Sequence, residues 1–549
     1  MPRAHDTSIC PIFVSPAAVA TVLAVAGIGY RTWLIVAQVP PTDSDEATMG
    51  LAALHVIQGR DVPIYMYGQH YMGVLEAYLA VPFVALLGTT TLALRIPELL
   101  LYAAFLPLMY RLVTRLYSPW FATFSVGLLA IGSDRVLKDQ LIAHGRTAEI
   151  KPVAAALLLI AISLASERSR RRTLACLGWG LIAGLMLWVD WLIVPYLATA
   201  LTVLLIRDRT GRARLGRDWL WLAAGLLAGA VPLIAYNVTA APGEGSLTVF
   251  WHLNQGPSTS LAARLFGGVM LGVPLSTGVC HPSHCTAAER LWGPAFLLLL
   301  VLAGSQALIA VRRHRVPTRQ WGRLALVTAA LFSVAAYSRG SAAAISPIES
   351  ARYLSCVLVS LPAALWPLWA AARQLVATRR SGSPSGAGPR GLTGTVLALL
   401  PLVAFAALSL DAAGALVTRK DAIAAAATRQ AALIRSLEAT GAPHLYADYW
   451  TCNRLAYATR ERIACAVLEP TMESGQDKYP PLAAIVHADP HPVYAFPARS
   501  VTDNAFVDYL RGNGIQYAVS DVAGYHVYRV PAGAGVPLRR SRSMLVRRP

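Results

Sequence analysis

A chain of 549 residues that is 55% hydrophobic and only 14% charged, with a mean hydropathy of +0.49, cannot be a string of soluble domains, in which charged residues average about 25%. Its composition predicts a polytopic membrane protein. The net charge of +19 does not point to nucleic acid, because the arginines stand in short runs between apolar segments and no separate basic domain carries them.

In chain order, a short polar tail is followed by an apolar run over 12–37. That run is too long for a signal-peptide core and lacks a small-residue cleavage site, so it predicts a retained anchor. The first outer loop, 38–91, comes next, and its apolar part at 71–87 is broken by Gly73, Glu76 and Pro82, which predicts a helix lying in the outer interface. Further crossings are expected over 92–116, 120–132, 148–165, 174–189, 192–206 and 219–236, with the fifth and sixth forming a hairpin at Asp190 and Trp191. A long outer loop, 237–289, holds one arginine, Arg264. Crossings over 292–311, 324–337 and 353–376 lead to a Ser/Gly/Pro-rich linker, 377–391, read as a flexible cytoplasmic loop, and to a last crossing over 392–410. The count is about eleven. Arg111 and Arg115, Arg168 to Arg172, Arg207 to Arg217, Arg312 to Arg315, and Arg379 with Arg380 gather at every second junction, so the N-terminus is expected inside and everything past Asp411 outside.

From about Lys420 the pattern changes. Stretches rich in β-branched and aromatic residues, HLYADYW, RIACAVLE, PVYAFPA, QYAVSD and YHVYRV, alternate with helical ones at 424–437 and 504–511. A mainly α membrane bundle, 1–419, is thus expected to carry a small α/β extracytoplasmic domain, 420–549. Cys452 with Cys465 in that domain, and Cys280 with Cys285 in the long outer loop, suit disulfides in an oxidising compartment. For Cys280, His281, His284 and Cys285 a metal site is the rival reading. The aromatics of YADYW read as strand core, and Trp188, Trp191 and Trp251 as interfacial belt residues.

The chemistry-bearing stretch is 41–78, PTDSDEATMGLAALHVIQGRDVPIYMYGQHYMGVLEAY, which sets three acids at the start of a helix and follows it with Tyr65, Tyr67, His70 and Tyr71. Asp43 and Glu46 have capping-box spacing, and acids in a first turn complement the helix dipole, so local structure accounts for one or two of them. It does not account for a third acid at the mouth of a membrane bundle.

One crossing, an outer loop with Asp-Glu at a helix start, the YGQHYMG segment, Leu94-Arg95-Ile-Pro97 and a late ARYL at 351–354 together resemble the GT-C glycosyltransferases. Within them the chain is similar to the branch of protein O-mannosyltransferases and lipid A aminoarabinose transferase, over roughly residues 12–372, and YADYW resembles the outer domain of bacterial members. The resemblance implies transfer of a sugar from a polyprenyl phosphate donor, within the bilayer, to a protein, lipid or polysaccharide acceptor. It implies that Asp45 is the catalytic base and that Glu149, in HGRTAEIKP, is an assisting acid. Asp43 and Glu46 would then bind acceptor hydroxyls or a divalent ion. Asp-Ser-Asp is like a metal-binding DxD, but this branch requires no metal cofactor. The lysine that meets the donor phosphate in the aminoarabinose transferase has no counterpart in GQHYMGVLEAY, which leaves His70, Tyr71, Arg352 or Lys151 for that role. Arg352 has a second reading as an interface anchor paired with Glu349.

Such an enzyme needs a carboxylate to take the acceptor proton and a cation for the departing phosphate, and a single displacement inverts the anomeric centre. The alternative from another class is a transporter or flippase of a lipid-linked substrate. Transporters concentrate ionisable groups at the midplane and show internal repeats, whereas here no repeat is visible and the acids lie in an outer loop. The topology predicts that a phosphatase reporter fused after Val530, active only outside the cytoplasm, will be active. A silent reporter beside an active cytoplasmic one would put the crossings wrong by one.

Overall fold

The computed structural model describes residues 15–166, 172–209, 215–253, 256–313, 317–380 and 389–531. The polar tail, Arg168, Arg170, Arg171, Arg212, Arg214, Arg315 and residues 381–388 of the expected linker lie outside them.

The membrane part is built from α1 (Pro16–Val36), α2 (Ser44–Ile57), α3 (Leu75–Leu87), α4 (Thr91–Leu116), α5 (Pro119–Ile131), α6 (Asp134–Leu141), α7 (Ile150–Ser166), α8 (Arg172–Val189), α9 (Val194–Arg209), α10 (Leu215–Gly229) and α11 (Val231–Thr239). After the long segment 240–291 come α12 (Trp292–Arg312), α13 (Pro317–Arg339), α14 (Leu361–Arg380) and α15 (Pro389–Thr418). Among the described residues seven helices are long and apolar enough to cross a membrane, or eight if the pair α10 and α11, bent by 56°, is one span. The protein is a multi-pass membrane protein. The other expected crossings are occupied by the shorter apolar helices α5, α7 and α9. Length and composition therefore carry seven or eight spans, and the expected eleven rests on the shorter helices as well.

Two glycine pairs join α8 to α10. A Cβ on Gly180 or Gly184 would overlap the carbonyls of Leu222 and Leu226, and one on Gly225 or Gly229 those of Leu177 and Leu181. These reciprocal small-xxx-small faces let the backbones touch, which is how helices associate where lipid is as apolar as leucine.

Two expectations change outside the long helices. The segment 237–289 is largely helical, with Ser246–Leu253, Leu261–Leu265 and Val273–Thr277 and a wide turn at Phe266–Gly272. Its run LFGGVMLGVPLS is apolar enough to be buried, and Val273, Pro274 and Leu275 are. Trp188 is not a belt residue: it is buried, and its indole N–H donates to the carbonyl of Ile64 at 2.8 Å, tying the first loop to α8. Trp251 is exposed.

The C-terminal domain adds α16 (Lys420–Ala439), α17 (Tyr449–Ala458), α18 (Pro480–Ala488) and α19 (Val501–Gly512) to strands β1 (His444–Ala447), β2 (Ala464–Val467), β3 (Val493–Pro497), β4 (Ala518–Val522) and β5 (Tyr525–Arg529). The sheet order is β2-β1-β3-β5-β4, with β1 parallel to β2 and β3 and the β4/β5 hairpin antiparallel. Alternation puts Leu445, Ala447, Val493 and Ala495 on one face, packed with Leu433, Leu437 and Leu455 of α16 and α17. Tyr446, Tyr494, Phe496 and Tyr528 face the other way with Phe506 of α19. HLYADYW is only half strand. Asp448 caps α17, accepting the amide N–H groups of Trp450 and Thr451, so Tyr449 and Trp450 open a helix and are not strand core. Cys452 is bonded to Cys465 across α17 and β2, and Cys280 to Cys285. The disulfide removes the cysteines of the second pair as metal ligands.

The domain docks on the membrane part through α17, which lies on α2. A Cβ on Gly50 would stand 2.5 Å from Cε2 of Tyr457, so the bare glycine sets the approach. Asn453 donates to Ser44 at 2.8 Å, His55 is bonded to Glu461 at 2.7 Å, and Arg60 pairs with Glu461. Gly50→Val is expected to cost about 1–3 kcal/mol, as other overpacked cores do, and to free the domain. Limited proteolysis after Lys420 and melting in detergent would both register it, while an unchanged melting profile would show that the contact is slack.

Candidate active site

The three acids of the first loop have three different fates. Asp43 is the N-cap of α2, accepting the amide N–H of Glu46 at 2.9 Å, and its other oxygen meets Nε2 of His144 at 2.7 Å. Burial would raise its carboxyl, but His144, the Glu46 amide and the nearby Arg352 hold it well below the usual carboxylate range. Glu46 does not close the capping box. Its two oxygens accept Nε and Nη2 of Arg95 at 2.8 and 2.9 Å, with both side chains fully buried, and Nη1 of Arg95 donates to the carbonyl of Pro40 at 2.8 Å. Neither oxygen is left for an acceptor or a metal, which corrects the expectation for Glu46.

Asp45, with a side chain 14% exposed against 26% for Asp43, is the acid that turns toward the C-terminal domain. The Tyr449 hydroxyl donates to its Oδ1 at 2.7 Å, and Nη1 of Arg352 stands 3.5 Å from Oδ2. Burial, then the charge of Asp45, push the Tyr449 phenol above its ordinary range, so it remains a donor. Arg352 thus faces Asp45, and among the described residues no ion pair joins it to Glu349. It also lies over the Tyr353 ring, 5.8 Å from its centre.

A second arginine arrives by a route that the sequence did not reveal. The loop between α6 and α7 is held by Glu76, whose carboxylate accepts the amide N–H groups of Gly145 and Arg146 at 2.5 and 2.9 Å. Arg146 is bonded through Nη1 to Asp190 at 2.8 Å and lies 4.9 Å from the centre of the Tyr353 ring. Although burial opposes its charge, Asp190, Tyr353 and Tyr71 raise its pKa. The Tyr71 hydroxyl lies in this group and is pushed up by burial. Asp190, expected only as a hairpin turn, is therefore the counter-ion of Arg146.

The remaining expected residues are elsewhere. Lys151 is buried and donates to the carbonyls of Asp139, at 2.7 Å, and Thr147, so its ammonium is committed to capping the α6–α7 loop and not to a phosphate. Glu149 is buried beside Glu76 and Glu98, not in the Asp45 group, which places it behind the loop that presents Arg146. His70 packs its ring against Tyr236 at 5.6 Å. His281 stands 3.2 Å from Asp134. Among the described residues no three His, Cys, Asp or Glu side chains converge as metal ligands, and Asp43 and Asp45 of the Asp-Ser-Asp pattern point to different partners.

Lys478 is the residue that sequence reasoning missed altogether. It comes from the C-terminal domain, is buried, and carries its ammonium 5.9 Å from the centre of the Tyr449 ring. No local signal marks it, because its position depends on how α17 docks on α2.

The sequence profile of the dolichyl-phosphate-mannose-protein mannosyltransferase family matches residues 73–236, under a third of the chain. No curated protein sequence matches. Among solved structures, the chain is similar to ArnT from Cupriavidus metallidurans bound to undecaprenyl phosphate, at 14% identity and a TM-score of 0.56, over 94% of this chain and 97% of that one. It is more loosely similar to the archaeal oligosaccharyltransferase AglB from Archaeoglobus fulgidus in complex with an inhibitory peptide and a dolichol-phosphate, at 10% identity and a TM-score of 0.46, over 94% of this chain and 74% of that one. The fold is that of the GT-C membrane glycosyltransferases. Within that class its likeness is to ArnT and to the mannosyltransferase profile.

The two neighbouring acids separate in test. Glu46→Gln leaves Arg95 buried without a counter-ion, and breaking a buried pair costs about 3–5 kcal/mol. Folded protein recovered after detergent extraction should fall sharply for Glu46→Gln. A Glu46→Gln variant recovered in full, with melting unchanged, would contradict the structural role given to the pair.

Proposed function

We propose that the protein is an integral membrane glycosyltransferase that moves a sugar from a polyprenyl-phosphate-linked donor to an acceptor hydroxyl on the outer face of the inner or plasma membrane. The observation that carries this reading is the division of labour among the first-loop acids. Asp43 is a cap paired with His144 and Glu46 is consumed by Arg95, which leaves Asp45 as the acid oriented by Tyr449 and Arg352. An oriented, half-desolvated carboxylate is what a weak hydroxyl nucleophile needs as a general base. The undecaprenyl phosphate held by ArnT supports the class of donor.

In this mechanism the acceptor hydroxyl attacks the anomeric carbon from the side opposite the phosphate, inverting it, and Asp45 takes the proton. Arg352 lies between Asp45 and Tyr353, where its guanidinium can meet the negative charge of the leaving phosphate. With an inside N-terminus, the first loop and the C-terminal domain both work outside, where the two disulfides are chemically at home.

Asp45→Asn keeps the size of the side chain and its bond from Tyr449 but cannot take a proton. Transfer from a polyprenyl phosphate sugar in membranes is expected to fall by at least about a hundredfold, the low end of general-base contributions, with folded protein unchanged. Asp43→Asn and Glu149→Gln should lose less. Near-normal transfer by Asp45→Asn would remove it as the base.

A further inference from the structure

Lys478 is only 2% exposed, yet among the described residues no carboxylate or carbonyl oxygen lies within bonding distance of its ammonium. Its chain neighbours fix it from both sides. Asp477 accepts the amide N–H of Val467 in β2 at 2.7 Å, and Tyr479 packs against His55 and Tyr67 of the first loop, with ring centres 4.5 and 4.8 Å away. The stem passes over Gly68 of the YGQHY segment, where a Cβ would stand 3.4 Å from Cδ. The residue is thus clamped between the C-terminal domain and the loop that bears Asp45.

The carboxylates nearest to it are already engaged. Asp190 is bonded to Arg146, Asp45 faces Arg352, His144 holds Asp43, and Asp477 is turned to the amide N–H of Val467, so none of them pairs with Lys478. Burial depresses its ammonium; Asp45 pulls against that, and Arg352 and Arg146 add to it. Burying an ammonium without a partner is costly, and an anionic ligand removes that cost.

Resting on the function proposed above, we propose that Lys478 binds the donor's phosphate, with Arg352 and Arg146 beside it, so that the C-terminal domain completes the donor site. A polyprenyl phosphate sugar is a phosphodiester with one negative charge, which would give the Lys478 ammonium the anionic partner it lacks. On transfer, the bond from C1 to the phosphate oxygen breaks and its electron pair stays with the phosphate. The acceptor oxygen bonds to C1, and its proton goes to Asp45. The departing phosphate monoester gains a second negative charge, so Lys478 holds it more strongly as the bond breaks than before, which accelerates the step.

The test compares purified wild type with Lys478→Met and Lys478→Arg for binding of undecaprenyl phosphate and of undecaprenol in detergent, alongside transfer. Wild type is expected to prefer the phosphate lipid. Lys478→Met should lose at least tenfold of that preference and of kcat while binding undecaprenol as before, and Lys478→Arg should recover most of both. Should the Met variant fail to fold, Lys478→Gln is read in the same way. A Met or Gln variant that keeps the wild-type preference overturns the role of Lys478 and leaves the proposed function standing. Wild type that does not distinguish the two lipids overturns both.

Discussion

The bidentate pair between Glu46 and Arg95 is the constraint on which the rest of the site depends. Both groups are fully buried, so their attraction must offset the loss of water around two charges, and it does so with two parallel hydrogen bonds and a third from Arg95 to Pro40. Arg95 lies on α4, a membrane helix, and Glu46 in the first turn of α2. The pair therefore pins the start of α2 to the bundle. One residue earlier, Asp45 is turned toward Tyr449 and Arg352 as a consequence, and two residues before that Asp43 caps the helix.

The C-terminal domain is positioned by the same helix. Gly50 and Ser44 on α2 receive Tyr457 and Asn453 from α17, and this contact brings the Tyr449 hydroxyl to Asp45 and Lys478 over Gly68. Membrane part and C-terminal domain thus share one group of residues. From the bundle, Glu76 holds the backbone that offers Arg146, and Gly73 lies against the end of α8, where its N–H donates to the carbonyl of Val189 at 3.0 Å beside Asp190.

Much of this was legible in the sequence because it is local. Apolar runs located the membrane helices, though the ends of α13, α14 and α15 lie up to eight residues from those expected; alternation marked the strands, and Asp43 at capping distance from Glu46 the start of α2. Asp45 stood out because three acids exceed what one cap requires. What failed was non-local. Nothing near Glu46 shows that Arg95, 49 positions on, will claim it, and nothing near Lys151 shows that two carbonyls will occupy its ammonium. YADYW was misread because Asp448 ends the strand by capping a helix, a competition that alternation alone does not register. Lys478 was invisible because a lysine in a loop is ordinary until the docking of α17 buries it.

The central claim is that Asp45, facing Arg352 and completed from above by the C-terminal domain, marks the reacting centre of a polyprenyl phosphate enzyme. An experimental structure with undecaprenyl phosphate bound tests it most directly. The account predicts the phosphate at hydrogen-bonding distance, about 3 Å, from Arg352 or Lys478 and on the side of Asp45 where an acceptor has access. A phosphate lodged instead beside His70 and Tyr236, or anywhere that leaves Asp45 remote from it, would contradict the account.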